Sequence, residues 1–138
     1  MKVLPSRIEA ELEHGLPEWY IENTPGELWT KEAFDLFQAA RKRRYIGYDF
    51  AHDCWHRGRG IPKAGLAYFC KRASSYLRLT NGCHAYWKPF EWMFNYGRNP
   101  LRKSLFNLEG EGASDKLEKW KTDIDLFFNT LNDNSDEY

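Results

Sequence analysis

Asp49, His52, Asp53 and His56 fall at i, i+3, i+4 and i+7. On a helix all four would point the same way. Two histidines one turn apart can hold a zinc ion when a carboxylate or a distant residue completes the site. The run His52-Asp53-Cys54-Trp55-His56 has the two-histidine spacing of the zinc-metalloprotease motif, with Asp where that motif carries its general-base Glu. The shorter carboxylate reaches a metal-bound water less well, and no further ligand follows at a recognisable spacing. Asp49, His52 and His56 are therefore the candidate metal ligands, with Cys83 or His84 as a distant fourth, and a metal-dependent hydrolase is the activity they would serve. The simpler account is an Asp–His pair without metal, on the polar face of a short helix over 48–57 that turns Tyr48, Ala51 and Trp55 inward.

Other catalytic chemistry is thin. Cys54, Cys70 and Cys83 lie beside or within apolar stripes and resemble packed thiols. Ser74 and Ser75 lack a nucleophile-elbow context. No nucleophile or base is accompanied by a residue to orient it, so no catalytic residue is assigned and the chain reads as non-enzymatic.

Charge is more informative. The 138 residues are formally neutral, but residues 41–103 hold fourteen Lys and Arg against three acids, a balance of +11. The flanking stretches are acidic, −5 over 1–40 and −6 over 104–138. The cations come in groups: Arg41, Lys42, Arg43 and Arg44, then Arg57, Arg59 and Lys63, then Lys71, Arg72 and Arg78. On a helix after Pro62, Lys63, Ala67, Lys71, Ser74 and Arg78 would share a face that could lie against a phosphate backbone. Gly58-Arg59-Gly60 could wrap a phosphate with backbone N–H groups, although it lacks the spacing of a P-loop. Interleaved aromatics such as Tyr45, Tyr48 and Trp55 could stack on unpaired bases.

The elements that must position these groups read mainly as helices. The pattern predicts a helix from about 5 to 14 with Ile8 and Leu12 inward and Gly15 as a stop, and a short turn of helix beginning at the capping-box spacing of Thr24-Pro25-Gly26-Glu27. Thr30 should cap a helix carrying Ala33, Phe34, Phe37 and Ala40 on one face. A long helix should follow Pro62 with Leu66, Phe69, Cys70, Ala73 and Leu77 inward, stopped at Asn81-Gly82. Shorter helices begin near Pro89 and Pro100. A last helix, capped by Ser114, carries Leu117, Trp120, Ile124, Phe127 and Leu131 at three-four spacing. Asn81-Gly82 is also a hairpin signal.

The expected fold is thus all-α: one domain over 1–138, a compact bundle of five to seven helices, with a small β-hairpin near 76–87 as the variant. No apolar run reaches the roughly 18 residues of a membrane span, and the N-terminus lacks the apolar core of a secretion signal. An odd cysteine count without CxxC spacing suits a reducing compartment, so the expected location is cytoplasmic. The leading functional expectation is a small binding protein whose basic centre, the ten cations named above, contacts nucleic acid or a nucleic-acid–protein complex. The alternative is a protein–protein inhibitor or adaptor with acidic and aromatic surface, of the kind phages encode against bacterial defence complexes. No cofactor is expected beyond the zinc of the third reading.

Overall fold

A computed structural model of the chain describes residues 7–79, 87–95 and 115–135. They form six α-helices, one 3₁₀ turn and one antiparallel hairpin, so the mainly helical expectation holds. Backbone contacts divide the chain into two units, Met1–Gly60 with Lys88–Arg98, and Ile61–Trp87 with Asn99–Tyr138.

The first unit begins with α1 (Arg7–Leu12) and α2 (Glu18–Glu22). Gly15 adopts φ +63° and ends the first helical segment as its position suggests. The inward face of α1 differs from expectation: Ala10 is buried, whereas Ile8 and Leu12 are 68% and 79% exposed. The short helical turn expected there forms as the 3₁₀ turn Gly26–Leu28, but without the side-chain cap of a capping box. Thr24 has a different task, because its hydroxyl accepts from the Trp55 indole N–H at 3.3 Å.

Thr30 does cap α3 (Lys31–Lys42), its Oγ1 accepting from the Ala33 N–H at 3.1 Å. Ala33, Leu36, Phe37 and Ala40 are buried at helical spacing. The helix ends in a Schellman motif, Arg44 N–H to Arg41 carbonyl and Tyr45 N–H to Ala40 carbonyl. Arg44 holds φ +67°, the left-handed position where glycine is usual, and Tyr45 is fully buried just beyond it.

Residues 46–57 overturn the helical expectation. They form a hairpin, β1 (Ile46–Asp49) and β2 (Cys54–Arg57), with Ile46 opposite Arg57, Gly47 opposite His56, Tyr48 opposite Trp55 and Asp49 opposite Cys54. Period-two packing wins here: Ile46, Tyr48 and Trp55 are buried. The His56 ring lies over Gly47, in the space a β-carbon there would occupy. The tip is a turn in which Asp49 Oδ1 accepts from the Ala51 and His52 N–H groups at 2.9 and 3.3 Å. Asp53, at φ +49°, closes the turn.

The core of this unit is aromatic. Tyr20 lies edge-on to Phe34 at 5.1 Å, and Trp55 meets Tyr48 at 5.1 Å and Phe37 at 5.7 Å. Such pairs add about 0.5–1.5 kcal/mol each beyond their buried area. The buried Tyr20 hydroxyl donates to the Leu28 carbonyl at 2.6 Å, so it carries no unmet polar cost. The helix α5 (Lys88–Met93) belongs to this unit, burying Phe90 and Met93, with Phe90 at 6.4 Å from Phe37.

The second unit pairs α4 (Lys63–Tyr76) with α6 (Asp115–Ser135). Phe69 packs on Phe128 at 5.6 Å and on Phe127 at 6.4 Å, and Ile124 is fully buried. The α4 helix stops before the predicted Asn81-Gly82. Its end repeats the α3 device: Arg78 N–H to Ser75 carbonyl and Leu79 N–H to Ser74 carbonyl, with Arg78 at φ +61°. The hairpin expected near 76–87 falls partly within α4, while 80–86 lie outside the described residues. So do the Ser114 cap and the helix expected after Pro100. No helix among the described residues is long and apolar enough to cross a membrane.

Candidate functional site

The hairpin decides which of the sequence candidates come together. Gly58, the residue after β2, is buried and its N–H donates to the Tyr45 carbonyl at 2.9 Å. A β-carbon at 58 would overlap the Arg44 carbonyl oxygen, so only glycine lets the two backbones approach this closely. The seating brings Arg57 and Arg59, which flank Gly58, beside the run Arg41, Lys42, Arg43 and Arg44. Lys42, Arg43, Arg44, Arg57 and Arg59 are all exposed. Two basic groups far apart in sequence thus meet at the root of the hairpin. The same hydrogen bond corrects the expectation for Gly58-Arg59-Gly60: the Gly58 amide is already committed and cannot cradle a phosphate.

Beside this cluster runs an open groove of about 490 Å³ lined by Gln38, Arg41, Lys42, Ile46, Gly47, Tyr48 and His56. Its lining holds two cations and a histidine and no carboxylate. The Arg41 guanidinium lies 5.7 Å from the Trp19 ring and 5.5 Å from the Phe50 ring, and donates to Gln38 Oε1 at 2.7 Å. Tyr48 accepts from Asn23 Nδ2 at 2.7 Å. Burial first, and then the neighbouring acids, push its hydroxyl pKa up, so it faces the groove as a neutral group.

The metal candidates fare differently. Asp49 and His52 do meet, Oδ2 to Nδ1 at 2.7 Å, because a tight turn brings i and i+3 together much as a helix does. His56 does not join them: its ring covers Gly47, and its Nδ1 lies 2.9 Å from the Arg57 carbonyl oxygen. The i, i+3, i+4, i+7 geometry behind the metal reading is therefore replaced by a turn and two strands. Among the described residues, no group of three or more His, Cys, Asp and Glu side chains is placed to hold a metal ion. Cys54, expected in the core, is exposed at the start of β2, whereas Cys70 is buried as expected. His52 holds the Asp49 carboxyl pKa below its ordinary value, assisted by the two turn amides.

The cations of the second unit do not form the solvated stripe the sequence suggests. Ala67 and Ser74, which should have spaced Lys63, Lys71 and Arg78 along an open face, are both fully buried, and Ser74 Oγ donates to the Cys70 carbonyl at 2.9 Å. Lys63 and Lys71 are half-buried, and Arg78 lies beyond the helix end. Arg72 turns inward, its Nε 3.5 Å from Asp125 Oδ1 and its guanidinium 5.4 Å from the Phe128 ring. The Tyr68 hydroxyl donates to the same Asp125 oxygen.

Sequence reasoning missed Gln38, Trp19 and Phe50 as companions of Arg41. The available signal was the period-two pair Ile46 and Tyr48 with Gly47 between them, which suits a strand better than a helix. No protein-family model matches the chain, and neither does any curated protein or solved structure.

Proposed function

We propose that the protein binds nucleic acid through the groove between the end of α3 and the hairpin, with Arg41, Lys42, Arg43, Arg44, Arg57 and Arg59 directed to phosphates. The observation that supports this is the seating of Gly58 on the Arg44–Tyr45 backbone, which gathers two basic runs beside a groove without a carboxylate in its lining. Basic residues in the last turn of a helix also complement its dipole, which accounts for Arg41 and Lys42 alone. It does not account for Arg57 and Arg59, which arrive from another element. Lys63, Lys71 and Arg72 are left out of this interface because α4 buries the face they were to share, and Arg78 because it lies beyond the end of that helix.

The test is fluorescence anisotropy with labelled single- and double-stranded DNA and RNA at several salt concentrations. Binding that weakens steeply with salt is expected, since each neutralised phosphate releases counterions. Reversing Arg44, Arg57 and Arg59 to Glu together should abolish it; unchanged binding would remove the hairpin root from the account. A second reading, a protein–protein adaptor, draws on the exposed Ile8 and Leu12 amid the glutamates of α1. Absence of nucleic-acid binding even at low salt would leave that reading in the lead.

A further inference from the structure

We infer that the nucleic acid taken by this groove is single-stranded and that Phe50 is the platform on which one of its bases stacks. The inference rests on the proposed function and adds the class of strand and the residue that selects it. Phe50 is the first residue of the hairpin tip and is 56% exposed. A lone exposed ring is ordinary on a protein surface. This ring differs in how it is held: Tyr48 meets it edge-on at 4.8 Å, Trp19 at 5.0 Å, and the Arg41 guanidinium sits 5.5 Å from its centre. Arg41 is in turn fixed by Gln38 and by the Trp19 ring.

Trp19, Arg41 and Phe50 form a three-way cluster, the two rings edge-on at 5.0 Å and the guanidinium 5.7 and 5.5 Å from them, whose Phe50 member is open to solvent. The turn behind Phe50 is held by the Asp49 carboxylate, so presenting the ring costs little ordering on binding. A base laid on the open side of Phe50 would join this cluster. Its backbone would then run toward Arg41, Lys42 and the groove. A duplex cannot use such a platform, because its base faces are already stacked, whereas an unpaired base offers a π-face whatever its identity. The expected preference is therefore for single strands, with little sequence selectivity.

The test compares three probes of equal length: a labelled single-stranded oligonucleotide, the same backbone without bases, and a duplex. The intact single strand should bind at least tenfold more tightly than the abasic one, since stacking on one aromatic ring is worth about that factor or more. Phe50→Ala and Phe50→Leu should lose this advantage, while Phe50→Trp should keep it. Phe50→Leu retains apolar bulk, so a loss there reports the ring rather than the packing of the tip. Equal binding of intact and abasic strands, duplex binding as tight as single-strand binding, or a Phe50→Leu protein that binds like the wild type would each overturn the platform. In all three cases salt-dependent binding persists and the proposed function stands. Failure of every probe to bind would overturn the function itself.

Discussion

The Gly58 N–H donates to the Tyr45 carbonyl at 2.9 Å, and the space a side chain at 58 would need is filled by the backbone of Arg44. Gly58→Ala must therefore push the end of β2 away from the end of α3. Neither neighbour is a flexible side chain that could yield. The expected cost is about 3 kcal/mol, the upper part of the range for forced overpacking, read as a lowered denaturation midpoint at unchanged m-value. Gly60, at φ +94° with open space around its α-carbon, should respond through backbone strain alone and cost less.

Arg44 and Arg78 occupy equivalent places, each the left-handed residue of a Schellman motif. A non-glycine residue there costs roughly 1–2 kcal/mol, and glycine returns about 0.4–1 kcal/mol of that through the freer unfolded chain. Arg44→Gly and Arg78→Gly should each raise stability by about 0.5 kcal/mol on balance. Their effects on binding should differ. Arg44→Gly removes one cation from the proposed interface and should reduce the salt slope by about 0.7 for a single strand, whereas Arg78→Gly should leave binding unchanged. Equal effects on binding would mean that the interface is not where the hairpin root places it.

Which parts were legible in the sequence follows from what each element buries. The α3 and α6 helices are one-sided, so their spacing is visible in the residues, and Thr30 caps the first as its type suggests. The 46–57 segment deceived because Asp49, His52, Asp53 and His56 happen to repeat at helical spacing. The stronger signal was the pair of glycines, Gly47 and Gly58, each placed where another group leaves no room for a β-carbon. That requirement depends on a partner strand and a helix end, and local periodicity carries no trace of either. The α4 helix misled in another way. Small residues between cations read as an open face, yet Ala67 and Ser74 are small because they are buried. The basic centre was thus rightly noticed as a composition, and only the fold could divide it.

The hairpin tip should respond to acid. His52 and the Ala51 and His52 amides all favour the ionised Asp49, so its folded pKa lies below the ordinary 3.8. A group depressed on folding contributes its stabilisation above the unfolded value and loses it as pH falls through the folded one. The contribution should therefore be complete above about pH 4 and disappear below it. The Phe50 ring resonances, next to the turn, should shift in that acid window. Asp49→Asn keeps a side chain able to make the same turn and should abolish the titration. A titration that survives this substitution would assign the acid response to another group.

Asp125 Oδ1 accepts from the Tyr68 hydroxyl and lies 3.5 Å from Arg72 Nε, so one carboxylate oxygen ties α6 to two places on α4. Arg72 Nε is buried and has no hydrogen-bond partner, which leaves this ion pair as its polar compensation. Both charged side chains are about one-third exposed, and solvent screening keeps the pair well short of a fully buried one. Tyr68→Phe removes one hydrogen bond to a charged acceptor and should cost about 1.5 kcal/mol. Asp125→Asn weakens both links and should cost more, about 2 kcal/mol, with the excess absent when Arg72 is already replaced by Met. The double-mutant cycle between positions 68 and 125 should show coupling of about 1 kcal/mol; a zero value would show that the hydroxyl is bonded elsewhere in solution. None of these changes touches the α3–hairpin groove, so binding measured below the unfolding midpoint should be unaltered. A loss of binding on Asp125→Asn in a folded protein would place Arg72 and its neighbours in the binding surface.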